Sequence, residues 1–231
     1  MSATTLSRRG PLCAAVFSLL AACSSKAPAP DWQMNAQSSV ERFTDAYMSG
    51  NTLVESSEFK RARDEVARTG KVELVLRVEL IRCATRVASL VVEECAGFEK
   101  LRRDAGAADR AYADYLAGRL QPKDAALLPE QQRAVAGAGS DAAAAAAVQA
   151  IGDPLSKLVA AGAVLRAGRA SPALLDTAVD TASAQGWRRP LLAWLGAQAL
   201  RAEQAGAAAE GQRIRRRMDL VQGTDAAGAA R

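Results

Sequence analysis

Four thiols and no imidazole set the chemistry open to this chain. Without histidine there is no Ser-His or Cys-His nucleophile pair and no histidine-ligated zinc. No CxxC pair, phosphate-binding loop or dinucleotide fingerprint occurs either. Cys13 lies inside an apolar run, and Cys23 stands at its end. Cys83 and Cys95 are twelve residues apart in the body of the chain. Three further groups invite a chemical reading. Glu55-Ser56-Ser57-Glu58-Phe59 places a carboxylate beside hydroxyls. Trp187-Arg188-Arg189 combines two residue types that favour interfaces. Arg213, Arg215, Arg216 and Arg217 form a basic cluster near the C-terminus.

Residues 1–22 read as a secretory signal peptide, with Arg8 and Arg9 ahead of an apolar run over 12–20. A spanning helix needs about 20 apolar residues, roughly twice this run. The run ends at Leu20-Ala21-Ala22-Cys23, which resembles the lipobox of bacterial lipoproteins. The resemblance implies that the Cys23 thiol receives a diacylglycerol, that cleavage falls before Cys23, and that the new amino terminus is acylated too. Small residues let an extended backbone enter a narrow peptidase site, and the thiol is the lipid acceptor. An ordinary secretory peptide with a cysteine at the cut is the plain alternative. In Gram-negative lipoproteins an aspartate after the cysteine tends to hold the product at the inner membrane. Ser24 stands there instead, so the implied address is the outer membrane, facing the periplasm. Two or more acyl chains anchor firmly where one is marginal. Ser7-Arg8-Arg9 also resembles a twin-arginine export signal. Pro11 stands where that pattern has a large apolar residue, so the expected route is the general secretory one.

An oxidising compartment makes a Cys83–Cys95 disulfide the natural expectation. On one continuous helix, residues so spaced lie about 18 Å apart at 1.5 Å per residue. A disulfide needs Cα atoms within about 7 Å. The helix carrying Cys83 must therefore end before Cys95 and the chain must double back. An end near Leu90 or Val91 leaves about four or five extended residues, just enough for the return, and Gly97 supports a break in this region. The alternative is two buried free thiols on one long helix.

The elements that position these residues read as helices throughout. Hydrophobic residues make up 49% and aromatics only 4%, so cores must be built from Ala, Leu and Val. Net charge is +5, about +3 without Arg8 and Arg9, which gives no footing for nucleic acid. Residues 23–35 are expected as a lipidated tether containing Pro28 and Pro30. A helical region follows over 36–121, with helices near 36–49, 53–68, 71–90, 98–104 and 108–117. On the third, Leu76, Leu80, Cys83, Val87 and Leu90 share one side. Leu74, Val78, Ile81 and Ala88 lie nearly opposite, so this helix is sandwiched between neighbours. Glu73–Arg77 and Glu79–Arg82 have the spacing of ion pairs along one helix. A Pro/Ala/Gly-rich connector is expected over 122–152, with a helix starting near Ser140-Asp141. Helical hairpins follow over 153–222, opened by Asp153-Pro154, Ser171-Pro172 and Pro190 and closed by Gly168, Gly186 and Gly206. Residues 223–231 are expected as a disordered tail.

Gly50, Phe59 and Ala62 resemble the turn glycine, aromatic and small residue of tetratricopeptide repeats. Glu55 stands where that repeat has alanine. Gly168 and Ala173 keep part of the pattern, while Thr177 and Asp180 break it. Turn glycines 50, 118, 168 and 206 are unevenly spaced. The expected fold is therefore all-α, an irregular array of antiparallel helical hairpins. Glu55-Ser56 faintly resembles the Glu-Ser motif of lytic transglycosylases, in which the glutamate is the general acid. Lys60-Arg61-Ala62-Arg63 replaces the segment that follows in that family.

The expectation is a membrane-anchored periplasmic lipoprotein without enzymatic activity, serving as a protein-interaction or envelope-structural module. The alternative is a carrier for an apolar or anionic small ligand held in a groove between helices. Neither a metal nor a cofactor is expected beyond the covalent lipid on Cys23. The expected partners are the membrane, through that lipid, and an envelope protein. Trp187, Arg188 and Arg189 are the candidate contact residues. The plain reading of that segment is a tryptophan plugging a hairpin end. For the Arg213–Arg217 cluster it is a solvated helix face rather than an anionic-lipid contact.

Overall fold

The computed structural model describes residues 29–228, with side chains through Gly223. Cys13, Cys23, the apolar run and residues 23–28 of the tether lie outside the described residues. Those described form an all-α protein with no strand among them. No helix among them is long and apolar enough to cross a membrane.

Helix α1 (Asp31–Ser49) starts directly after Pro30, five residues before the expected start. Proline cannot continue a helix backwards but is well placed just outside one. The chain turns at Gly50, whose φ of 97° is the left-handed conformation that glycine adopts freely. Asn51 then caps α2 (Thr52–Ala67), its side chain accepting from the Val54 amide at 3.1 Å. Phe43 and Phe59 meet edge to face at 5.7 Å across this pair.

Helix α3 (Val72–Ala88) is two-faced, as its periodicity requires. Leu76, Leu80, Cys83 and Val87 join the main core with Leu158 and Trp194. Val78, with half-buried Leu74 and Ile81, joins a second cluster around Phe43, Phe59 and Val66. Ala88 departs from expectation and lies in the main core, its carbonyl accepting the Trp194 indole N–H at 3.0 Å. The charges between the faces do not pair along the helix. Glu79 takes Arg63 of α2 at 2.8 Å, Arg82 takes Glu55 of α2 at 2.7 Å, and Arg77 has no acid partner among the described residues. A pair along an exposed helix is worth only about 0.3–0.5 kcal/mol. Glu55 is 1% exposed, and a desolvated carboxylate is a far stronger draw for a guanidinium.

α3 stops at Ala88, and Leu90 carries a positive φ of 57°. The chain doubles back there, as the cysteine spacing demanded. Cys83 and Cys95 form a disulfide with Cα atoms 5.6 Å apart. Expected helix 98–104 resolves into α4 (Ala96–Glu99) and a 3-10 turn (Arg102–Asp104), with Phe98 fully buried. α5 (Ala107–Leu116) follows and ends at Gly118.

Residues 122–152 are not a loose connector. They form a 3-10 turn (Pro122–Leu127), α6 (Glu130–Ala136) and α7 (Asp141–Ala150). Ser140 caps α7 as expected, accepting from the Ala143 amide at 3.1 Å. Val135, Ala144 and Val148 enter the core that α3 and Trp194 occupy. Alanine and glycine made this stretch look featureless; small side chains are also what lets helices approach closely.

α8 (Pro154–Arg166) and α9 (Pro172–Ala184) carry the expected caps, Asp153 and Ser171. α10 (Arg188–Gln204) begins two residues before Pro190. α11 (Ala208–Gly228) runs past the expected end of the hairpin region at 222, so the tail expected over 223–231 is helical as far as it is described. One core cluster reaches from Tyr47 to Ile214 and joins the N- and C-terminal helical regions.

Candidate functional site

Trp187, Arg188 and Arg189 form an internal clasp. Arg189 donates to the Tyr47 carbonyl at 2.7 Å and to the Thr52 hydroxyl at 2.9 Å, and its guanidinium lies 4.4 Å from the Tyr47 ring centroid. Arg188 lies against Gly50. Trp187 is half-buried against the main core. The segment ties α10 to the α1–α2 turn through Arg189.

Glu55 sits in a charge network rather than a cleft. Arg82 donates to it at 2.7 and 3.2 Å, and Arg86 reaches it at 3.5 Å. Arg86 also pairs with Glu93 at 2.6 Å. Burial alone would raise the Glu55 carboxyl. The hydrogen bond and charge of Arg82, with Arg86 behind it, outweigh that and hold it below the ordinary glutamate value. The carboxylate is therefore held as an anion between the two guanidinium groups. The C-terminal arginines lie along α11: Arg213 pairs with Glu210 at 2.6 Å, and Arg215 pairs with Glu203.

Two grooves flank the 3-10 turn Pro122–Leu127, which itself buries no residue. The first, about 530 Å³, lies between α5, α6 and α8 and is lined by Tyr115, Leu120, Val135, Ala163 and Ala167. Arg169 at its edge is committed to Asp141 at 3.0 Å and the Ala138 carbonyl at 2.9 Å. Tyr115 donates to Gln132 at 2.8 Å, and Gln132 donates to the Ser156 carbonyl at 3.1 Å, tying α5, α6 and α8 together. The second groove, about 460 Å³, lies between α3, α5 and α6, with Leu80, Ile81, Tyr112 and Leu127 for its floor. Arg77 and Arg133 stand on its rim. Arg133 gives one bond to the Leu128 carbonyl at 2.8 Å, and neither arginine has an acid partner among the described residues. Burial pushes the Tyr112 hydroxyl up to about 12 and raises Tyr115 as well. Both are therefore neutral donors at ordinary pH.

Both volumes fall in the range of small-molecule sites, about 300–1,000 Å³. Sequence reading placed Arg77 in a helix pair and did not single out Arg133. The usable signal was Leu127-Leu128-Pro129, an apolar step between two prolines followed at short range by an arginine. No cluster of three or more potential metal ligands occurs among the described residues. No family model, curated protein or solved structure matches the chain.

Proposed function

We propose that the protein is a lipid-anchored module at the periplasmic face of the outer membrane, with acyl chains on Cys23 and a helical body that engages an envelope protein without catalysis. The observation that carries this reading is the join between anchor and body. Leu20-Ala21-Ala22-Cys23 supplies the lipid acceptor, and α1 begins at Asp31, which leaves only residues 24–30 between them. Fully extended, that stretch spans about 25 Å at 3.3–3.6 Å per residue. So short a tether holds the body against the membrane surface instead of letting it range across the periplasm. The Ser24 position favours the outer membrane. Arg82 and Arg86 of α3 both bind Glu55 of α2 and hold the two helices together, which supports a scaffold reading rather than a reactive one.

The test compares wild type with Cys23→Ala by intact mass, membrane fractionation and crosslinking in cells. The expected result is an acyl mass on the wild type, in outer-membrane fractions, and a crosslinked envelope protein that the variant loses. An unacylated Cys23 in wild type would remove the anchor and this reading with it.

A further inference from the structure

We propose that the groove between α3, α5 and α6 binds an anionic single-chain amphiphile, with its head group between Arg77 and Arg133 and its chain over Leu80, Ile81 and Leu127. This goes beyond the anchored-module reading and does not depend on the lipid at Cys23.

Three observations converge on the groove. Its floor is apolar and open, with Leu127 41% exposed and Ile81 half-buried, so an alkyl chain laid there would leave water. Its rim carries two guanidinium groups without acid partners among the described residues, against one carboxylate, Asp109. Arginine offers a planar fork of donors that fits a carboxylate or phosphate oxygen pair. The third is Tyr112, whose hydroxyl has no hydrogen-bond partner among the described residues and stays protonated far above neutral pH. An apolar trough with unspent anion donors at its edge matches an amphiphile with a carboxylate or phosphate head. A cationic head would face two like charges. The larger groove across the 3-10 turn lacks this complementarity, because Arg169 is already spent on Asp141 and Ala138.

Titration calorimetry on the full chain carrying Cys23→Ala, purified without detergent, tests this. The probes are monomeric dodecanoate, dodecyl phosphate, dodecyltrimethylammonium and inorganic phosphate. Both anionic amphiphiles are expected to bind, the cation at least about tenfold more weakly, and inorganic phosphate not at all. Arg77→Gln with Arg133→Gln is expected to weaken both anions about tenfold or more. Ala108→Trp, on the exposed first turn of α5, fills the groove and is expected to abolish binding. Ala167→Phe narrows the larger groove and is expected to leave binding unchanged. Melting curves establish that each variant is folded. Tighter dodecanoate would mark free fatty acids as the natural class, and tighter dodecyl phosphate a phospholipid head group. Equal affinity for the cation, binding of inorganic phosphate as tight as dodecyl phosphate, or loss through Ala167→Phe but not Ala108→Trp would each overturn the assignment.

Discussion

Gly162→Ala pits two effects of opposite sign against each other, and the structure decides between them. Gly162 lies inside α8, where alanine is ordinarily the better helix former by about 1 kcal/mol. A Cβ at this position would sit well inside contact distance of the Val87 carbonyl oxygen, 2.8 Å from Val87 Cγ1 and 3.0 Å from the Val87 carbonyl carbon. Two of those three atoms are backbone, so no rotamer change relieves the clash. α3 and α8 must separate, and the neighbouring Trp194–Ala88 hydrogen bond is stretched with them. Overpacking of this kind costs about 1–3 kcal/mol, and a backbone obstacle puts it at the upper end. The net loss is then about 2 kcal/mol after the propensity gain. For a chain of this size that is a fall in Tm of about 4–8 °C. Gly196→Ala supplies the contrast within α10. Its Cβ would meet nothing nearer than Met218 Cε at 3.9 Å. It is expected to gain the full propensity term and raise Tm by about 2–4 °C. Thermal unfolding followed by far-ultraviolet circular dichroism reads both. A Gly162→Ala protein that melts at or above wild type would refute the claim that α3 and α8 are locked by backbone contact at this point.

Glu55→Gln leaves Arg82 and Arg86 facing a neutral amide at a buried site and is expected to cost about 3 kcal/mol in urea unfolding. The native Glu55 pKa is depressed, so its contribution is fully present above the ordinary glutamate value of 4.5 and is lost as pH falls below it. Unfolding midpoints across that window should therefore fall more steeply for wild type than for Glu55→Gln, and parallel curves would show that the pair carries no net stability. Cys83→Ser with Cys95→Ser removes a cross-link over a separation of 12 residues. It is expected to cost about 3 kcal/mol on the loop-closure model. An unchanged Tm would mean that the Arg86–Glu93 pair already holds the 89–95 return.

What was legible in the sequence was what neighbours in the chain decide. Asp153, Ser171 and Ser140 cap helices because each has an acceptor oxygen two or three residues before free amides. The two-faced α3 and the forced return between Cys83 and Cys95 follow from helix geometry alone. Partner choice between helices did not follow. Glu79 and Arg82 stand at ion-pair spacing, yet each is drawn to α2, because burial of Glu55 is a property of the assembled helices. Residues 122–152 read as a connector because alanine and glycine carry no periodic signal, although Val148 and Ala144 are fully buried. The groove was the hardest to see. Arg77, Tyr112, Leu127 and Arg133 come from four separate elements, and no spacing in the chain joins them.

The arginines of this protein divide into two kinds, and the division follows from its poverty in aromatics. A core of Ala, Leu and Val buries less apolar area per side chain than one rich in aromatics, so hydrophobic stabilisation per contact is small. Close helix approach and charge pairs make up the difference. Arg63, Arg82 and Arg86 bind acids across the α2–α3 seam and the 89–95 return, and Arg189 clasps the Tyr47 carbonyl and ring. Removing Arg63 or Arg189 takes the side-chain donor from a largely buried acceptor, and removing Arg82 takes two bonds from buried Glu55. Arg77 and Arg133 strand no acid when removed. Neutral substitutions in the first set should lower Tm, whereas Arg77→Gln should fall within the about ±0.5 kcal/mol typical of surface changes, and Arg133→Gln should cost about 1 kcal/mol for its bond to the Leu128 carbonyl. Arg77 makes no side-chain bond among the described residues, and Arg133 spends only its Nε on the Leu128 carbonyl, so both keep terminal donors at the edge of the apolar groove. Arg77 is therefore the cleaner probe of the proposed groove, because its removal breaks no bond among the described residues.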